Sequence, residues 1–353
     1  MRRSGGNGHE ARLGRGGVGR YVAGMDAGQA KVVLSEHLDA GPAEWLSERA
    51  RLIRQPHEPR AELLLSLADA EGLVVRTYTR VDRELLAAAP ALQVVGRAGV
   101  GLDNIDLPAC REAGVRVVYT PDANTQAVVE YVFALILDAL RPRLDFDRGL
   151  SAEAFHEARQ RCVGAQLDRL TLGVLGMGRI GRRVAEVARA IGIDVLANDL
   201  LSPGELGLSG VGESEGGASG GVRFVDKPTL YAESDIVTIH VDGRAANRGL
   251  IDAAALDRLK PTCLLINAAR GMLVDNGALA AWADRVEASG GAAALDVHDP
   301  EPPPADYELL GRSNVRLLPH LASRTPEAMA NMSWVVRDVV AVLEGRAPAY
   351  PAD

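Results

Sequence analysis

Between Gly173 and Ala185 the chain reads Gly-Val-Leu-Gly-Met-Gly-Arg-Ile-Gly-Arg-Arg-Val-Ala, with glycines at 176, 178 and 181 in the spacing GxGxxG. Alone the spacing is weak, because this chain has 38 glycines and can produce it by chance. Its surroundings decide its meaning. An apolar run over 171–175 precedes it, a helical pattern follows it, and the next apolar run ends in Asn198-Asp199, about twenty residues on. That is the strand–turn–helix–strand frame of a dinucleotide site. In it Gly176 permits the tight turn, Gly178 lets backbone approach a pyrophosphate, and Gly181 lets helix and strand pack closely. The amides of Arg179 and Ile180 open the helix and can bind phosphate oxygens. Asp199 can accept from the ribose hydroxyls, and its charge repels a 2′-phosphate, so NAD is expected rather than NADP.

The rest of the chain fits around that unit. Short apolar runs at 31–35, 72–76, 92–96 and 115–119 alternate with helical stretches such as 42–52 and 82–88. Such alternation implies parallel strands with both sheet faces covered. Residues 124–140 form a helix apolar nearly all round, expected between two domains. A second series of strands follows at 171–175, 194–197, 222–225, 236–240, 263–267, 291–296 and 315–318, and a last helix over 326–343 is expected to return to the first unit. The expected fold is α/β, two Rossmann-like doubly wound parallel-sheet domains. The substrate domain is discontinuous and flavodoxin-like, over 30–123 plus 320–353. The NAD-binding domain is inserted, over 124–319. Residues 1–29 are expected to be a flexible tail. The Gly/Ser-rich stretch 202–221 lacks a periodic apolar face and is expected to be a flexible insertion.

Composition excludes several classes. A chain of 353 residues that is 47% hydrophobic can build two medium domains. A net charge of −8 argues against a broad nucleic-acid surface. No apolar run is long enough for a bilayer, and the start lacks the apolar middle of a secretory signal; an organelle transit peptide is the other reading of that Arg/Gly-rich start. Cys110, Cys162 and Cys263 are far apart and form no zinc pattern. Reduced thiols, a cytoplasmic location and no metal are therefore expected.

Three downstream strands end in polar loops: Asn267-Ala-Ala-Arg270, Asp296-Val-His-Asp-Pro-Glu301 and Pro319-His320. In open α/β sheets such loops line the ligand crevice. Reducing a ketone by hydride transfer requires a proton donor at the carbonyl oxygen and a group that holds the acid. Histidine is the side-chain type that exchanges a proton near neutral pH, so His320 suits the first task. Glu301 would orient its ring and favour imidazolium. Arg270 offers a planar fork for a carboxylate and a carbonyl oxygen.

With these motifs the chain, from about Lys31 to Gly345, resembles the D-isomer-specific 2-hydroxyacid dehydrogenase family. Val94-Val-Gly-Arg-Ala-Gly-Val-Gly-Leu-Asp-Asn-Ile-Asp106 is similar to its substrate-carboxylate loop. The resemblance implies that the amides of Ala98, Gly99 and Val100 bind the substrate carboxylate, with Ser323 nearby. It implies that Arg270, Glu301 and His320 are catalytic, with Arg270 and His320 also touching substrate. His240, Val241, Ala268 and Asp296 would contact the cofactor, Asp296 at the nicotinamide carboxamide, and Asn124 and Glu130 would mark the hinge helix. The loop looks closest to the phosphoglycerate-dehydrogenase-like branch, here without its C-terminal regulatory domain. There Arg76 and Arg97 match arginines that hold a distal phosphate, so a phosphate or phosphonate substrate is implied, as is a homodimer through the NAD-binding domains. The chain departs from the family at His240-Val-Asp-Gly-Arg244, at Asp168-Arg169 and in the Gly/Ser insertion. Two other readings stay open here: a non-catalytic NAD(H)-sensing, corepressor-like interaction protein, and a formate- or phosphite-type dehydrogenase.

Overall fold

The computed structural model describes residues 28–208 and 221–352. The expected tail, apart from its last residues, and most of the expected insertion lie outside the described residues. The first sheet contains β1 (Lys31–Leu34), β2 (Arg51–Arg54), β3 (Gly72–Val75), β4 (Val94–Arg97) and β5 (Arg116–Tyr119). All are parallel, in the order β2-β1-β3-β4-β5, a flavodoxin-like winding. Helices α1 (Ala40–Ser47), α2 (Arg60–Ser66), α3 (Arg83–Ala88) and α4 (Leu107–Glu112) link the strands. Sequence pattern put a helix over 42–52 where the structure ends α1 at Ser47 and begins β2 at Arg51. β2 is an edge strand with exposed arginines at both ends, so it lacks the apolar run that marks a buried strand. Charged edges of this kind protect a sheet from further pairing.

α5 (Thr125–Leu140) and α6 (Ala152–Arg161) lead to a second parallel sheet. Its strands are β6 (Thr171–Leu175), β7 (Asp194–Asn198), β8 (Val222–Phe224), β9 (Ile236–Ile239), β10 (Leu264–Asn267), β11 (Ala292–Leu295) and β12 (Val315–Leu317). Their order, β12-β11-β10-β9-β6-β7-β8, reverses direction beside β6, as in a Rossmann sheet. α7 (Arg179–Ala190), α8 (Lys227–Glu233), α9 (Ala253–Leu256) and α10 (Asn276–Val286) flank it. Each sheet has an apolar cluster on both faces. α5 buries Val128, Val129, Val132 and Ile136 in the cluster that contains Val174 and Val184 of β6 and α7, while Leu137 stays exposed. It therefore covers one face of the second sheet rather than being enclosed on all sides. Leu206 and Leu208, at the described start of the Gly/Ser stretch, rest on the same cluster.

The last helix is broken into α11 (Pro326–Ser333) and α12 (Val336–Leu343). α12 returns to the first sheet, where Val335 and Val339 sit over β4. Gly96 of β4 makes this crossing possible, since a Cβ there would collide with Val339. No helix among the described residues is long and apolar enough to cross a membrane.

Candidate active site

The C-terminal ends of both sheets face one cleft of about 1760 Å³. Arg76, Arg97, Ala98, Gly99 and Val100 reach it from the first sheet, and Gly176, Gly178, Arg179, Ile180, Asp199, His240, Val241, Ala268, Arg270, Glu301, His320 and Ser323 from the second and its return loop. Two expected site residues do not line it. Gly181 lies beneath the turn, where a Cβ would strike the Gly176 carbonyl, as its packing role requires. Asp296 is fully buried, and its carboxylate accepts from the amides of Leu321 (2.7 Å) and Ala322 (2.8 Å). Burial raises its pKa, and those two bonds only partly offset the rise. Asp296 thus holds the loop that follows His320.

His320 Nδ1–H donates to Glu301 Oε1 at 2.7 Å, which leaves Nε2 for the cleft. Burial alone would raise the Glu301 carboxyl, but the bond and charge of His320 and the His298 N–H outweigh it, and its pKa falls below the usual carboxylate value. His320 is the one described non-glycine residue with a left-handed φ, 56°, and its N–H donates to Asp296 O at 2.9 Å.

Arg270 stands on the loop after β10. Asn267 shapes that loop by donating to Arg270 O (2.8 Å) and accepting from Ala269 N (3.1 Å). The guanidinium meets the first sheet's loop directly: Nε donates to Asp103 Oδ2 at 2.6 Å, and Nη1 donates to Ala269 O at 2.7 Å. Two glycines make this contact possible. A side chain at Gly101 would collide with Arg270, and one at Gly243 with Asp103. The sequence reading missed Asp103, although the loop contains it; nothing in one strand-end sequence says which carboxylate the other sheet's arginine will meet. Gly243 also gives a physical reason for one unusual residue at 240–244, while Asp242 and Arg244 pair with each other at the rim.

The expected carboxylate cradle needs correction. The Ala98 N–H donates to Val75 O (2.9 Å) as part of the sheet, and the Gly99 N–H donates to Arg97 O (2.8 Å). Neither is free for a ligand. Val100 keeps its amide, and Gly101, next along the cleft wall, is the neighbour that spacing alone did not single out.

Glu36 is a second residue that the sequence reading missed. It follows β1 and takes the amides of Arg76, Thr77, Tyr78 and Thr79 and the Thr79 hydroxyl, at 2.8–3.1 Å. Burial pushes its carboxyl up, those bonds push it down, and the net result is a lowered pKa. This bonding fixes the strand end from which Arg76 projects. Arg97 is 8% exposed and donates to Ala98 O, and its Nε has no partner. Burial, then the charges of Arg270 and Arg76, brings it down to about 10.

The nucleotide side fits the group expected there. α7 begins at Gly178 with no side-chain cap, so its first-turn amides are left for an anion. A Cβ at Gly178 would meet nothing within 4 Å, so the approach is open. The Arg179 side chain is turned to Asp122, so its amide, not its guanidinium, faces that anion position. Asp199 stands at the end of β7 and accepts from Met177 N at 2.6 Å and Leu201 N at 3.0 Å. Burial brings the His240 pKa down to about 4, so the ring is neutral at physiological pH, with Nε2 3.0 Å from the Thr238 hydroxyl.

Residues 133–322 match the family described as D-isomer specific 2-hydroxyacid dehydrogenase, NAD binding domain. The chain belongs to the D-isomer specific 2-hydroxyacid dehydrogenases. Its second lobe is the family's NAD-binding domain. The chain is 38% identical over 289 residues to D-3-phosphoglycerate dehydrogenase of Archaeoglobus fulgidus, covering 81% of this chain and 52% of that protein. It is 41% identical over 285 residues to (S)-sulfolactate dehydrogenase of Chromohalobacter salexigens, covering 80% of this chain and 87% of that one. It thus spans about half the length of that phosphoglycerate dehydrogenase and most of the sulfolactate dehydrogenase. Among solved structures, D-lactate dehydrogenase of Aquifex aeolicus with NAD and lactic acid aligns with a TM-score of 0.73 at 26% identity, over 89% of this chain and 96% of that one. An NADPH-dependent glyoxylate/hydroxypyruvate reductase of Sinorhizobium meliloti, with NADP and malonate, aligns with a TM-score of 0.75 at 26% identity, over 92% and 97%.

Proposed function

We propose that this 2-hydroxyacid dehydrogenase family member is an NAD-dependent oxidoreductase that interconverts a small 2-hydroxy acid and its 2-keto acid, and that the substrate carries a distal tetrahedral anion. The observation that carries the reading is the His320–Glu301 pair, 2.7 Å apart, in the same cleft as the Arg270 fork. NAD, bound along the strand ends of the second sheet, supplies the hydride acceptor or donor at C2. The protein's own residues supply the rest. His320 Nε2 gives a proton to the C2 oxygen in reduction and takes it back in oxidation, while Glu301 orients the ring and balances its charge. The substrate carboxylate rests on the amides of Val100 and Gly101 and on Arg270 Nη2. Arg76 and Arg97 take the distal group. Two relatives are named for a phosphorylated and a sulfonated acid, which supports a charged distal end.

The lobes divide the work as substrate domain (30–123 with 320–353) and NAD domain (124–319), and closing the cleft excludes water from the reaction. We further read the protein as a cytoplasmic homodimer. Cys110 and Cys263 are buried free thiols, as suits a reducing compartment. After α5 the chain exposes Leu144, Phe146, Phe155 and Val163, and α6 buries no residue. This apolar arm suits a second copy.

The test is NADH oxidation by 2-keto acids with and without a distal phosphate, phosphonate or sulfonate. Rapid turnover is expected, and His320→Ala should cut it by about 10²–10⁴-fold while NADH still binds. Near-normal turnover in that variant refutes the assignment.

A further inference from the structure

Arg76 and Arg97 are not the only cations at the distal end of the cleft. Arg324 is exposed on the loop 318–325, four residues after His320, and lines the same cavity. The Arg76 guanidinium lies against the helix which that loop enters, with Nη2 3.1 Å from Met329 Sδ of α11. Arg324 is also the charged neighbour that, after burial, most lowers the Arg76 pKa. Arg76, Arg324 and Met329 all line the cleft there.

Among the described residues, none of Arg76, Arg97 and Arg324 forms an ion pair. Two acids act on Arg76, Glu36 and Asp39; Glu36 is committed to the backbone of residues 76–79, and Asp39 accepts from the Ser333 hydroxyl at 3.2 Å and lies 3.7 Å from His37. Arg97 adds a buried Nε–H with no partner. A fold that gathers like charges and leaves a buried donor unmatched bears a cost that an anionic ligand would remove.

We propose that Arg324 is a substrate-binding residue which completes a three-guanidinium receptor with Arg76 and Arg97, and that this receptor selects a distal dianion, phosphate or phosphonate, over a monoanionic sulfonate. The proposal rests on the reading of the cleft as a 2-hydroxyacid site. The geometry of the ligand decides the class. A tetrahedral group presents three oxygens, and three forks reaching it from three chain segments can each take one. Phosphate and phosphonate bring a second negative charge to all three cations, and a sulfonate brings one. The receptor also ties selectivity to chemistry, since Arg324 and His320 share one loop.

The experiment compares kcat/KM for phosphonopyruvate, 3-phosphohydroxypyruvate, sulfopyruvate and pyruvate in wild type, Arg324→Ala and Arg324→Lys. Wild type should favour both dianions over sulfopyruvate and pyruvate. The phosphonate and phosphate arms show whether the bridging oxygen matters. In Arg324→Ala the ratio of dianion to pyruvate kcat/KM should fall about 10- to 100-fold, and Arg324→Lys should recover part of it. The wild-type KM for 3-phosphohydroxypyruvate should rise as pH drops below about 6, where the second proton of a phosphate ester returns, and the KM for the more basic phosphonate should begin to rise at a higher pH, while the KM for sulfopyruvate follows that for pyruvate. An unchanged ratio in Arg324→Ala, or a wild type that prefers sulfopyruvate, overturns the proposal but leaves the broader reading standing. A wild type that gains nothing from any distal anion overturns the distal-anion reading itself.

Discussion

Asp103 is a demanding test of the site, because its carboxylate reaches Arg270 from the opposite sheet. The pair is 2.6 Å long, with side chains 31% and 40% exposed. A partly exposed ion pair contributes about 0.2–1 kcal/mol to stability, so Asp103→Ala should move Tm by no more than about 2–4 °C. Its effect on activity should be larger. Asp103 holds Nε and the Ala269 carbonyl holds Nη1, so the fork is set before substrate arrives. Freed from Asp103, the side chain regains part of its rotamer entropy, up to about 2 kcal/mol, which substrate binding must then overcome. At 1.36 kcal/mol per tenfold, kcat/KM should fall by up to about 30-fold. Asp103→Asn keeps the shape and one acceptor and should fall between the two. The assay is steady-state NADH oxidation with a keto acid, alongside a fluorescence titration of NADH, which should be unchanged. If Asp103→Ala works as well as wild type, the fork is not positioned from across the cleft. If it works faster, Asp103 competes with the substrate for Arg270, and the reasoning is wrong in sign.

Other expectations follow from the same geometry. The Glu36 pKa is lowered in the fold, so its stabilisation is complete above the unfolded carboxylate value near about 4.3 and is lost as pH falls through the lower folded value. Glu36→Gln should therefore lower Tm at pH 7 by several degrees and raise the substrate KM, with the Tm gap closing as pH falls below the ordinary carboxylate range; a gap that does not depend on pH contradicts this. Arg97 has the opposite sign. With a folded pKa of about 10, its buried charge opposes folding at all lower pH and is relieved only above that value, so Arg97→Met should keep or raise Tm at pH 7 while losing the distal anion. A large fall in Tm would show that the arginine stabilises the free protein. Asp199→Ser should shift the NADH/NADPH ratio of kcat/KM toward NADPH by about tenfold or more, and an unchanged ratio would remove Asp199 from nucleotide selection.

What the sequence made legible follows the range of the forces involved. Local patterns carried far: the buried strands of both sheets, the glycine turn before α7 and the polar strand ends all depend on neighbours a few residues apart. The reading failed where one stretch answers to another. β2 was hidden because an edge strand with charged ends does not look buried. The amides of Ala98 and Gly99 looked available until the partners Val75 and Arg97 took them. Asp103, Glu36 and Arg324 are ordinary surface charges by composition; Glu36 finds its partners at the end of the neighbouring strand of its own sheet, and only the meeting of the two sheets pairs Asp103 with Arg270 and brings Arg324 to the cleft that Arg76 lines.

Asp296 shows how the site's parts depend on each other. Besides the cofactor contact expected of it, Asp296 holds three successive residues: its carbonyl takes the His320 N–H, and its carboxylate takes those of Leu321 and Ala322. A non-glycine residue in the left-handed region costs about 1–3 kcal/mol and persists only where its surroundings insist on it. The surroundings of His320 do so, since a buried carboxylate without those two amides would be left unsatisfied in an apolar wall. The turn aims the imidazole at Glu301 and starts the loop toward Arg324. One buried acid therefore sets the direction of the proposed proton donor and, four residues later, the reach of the proposed anion receptor. The two functions should fail together when Asp296 is lost and separately when His320 or Arg324 is changed.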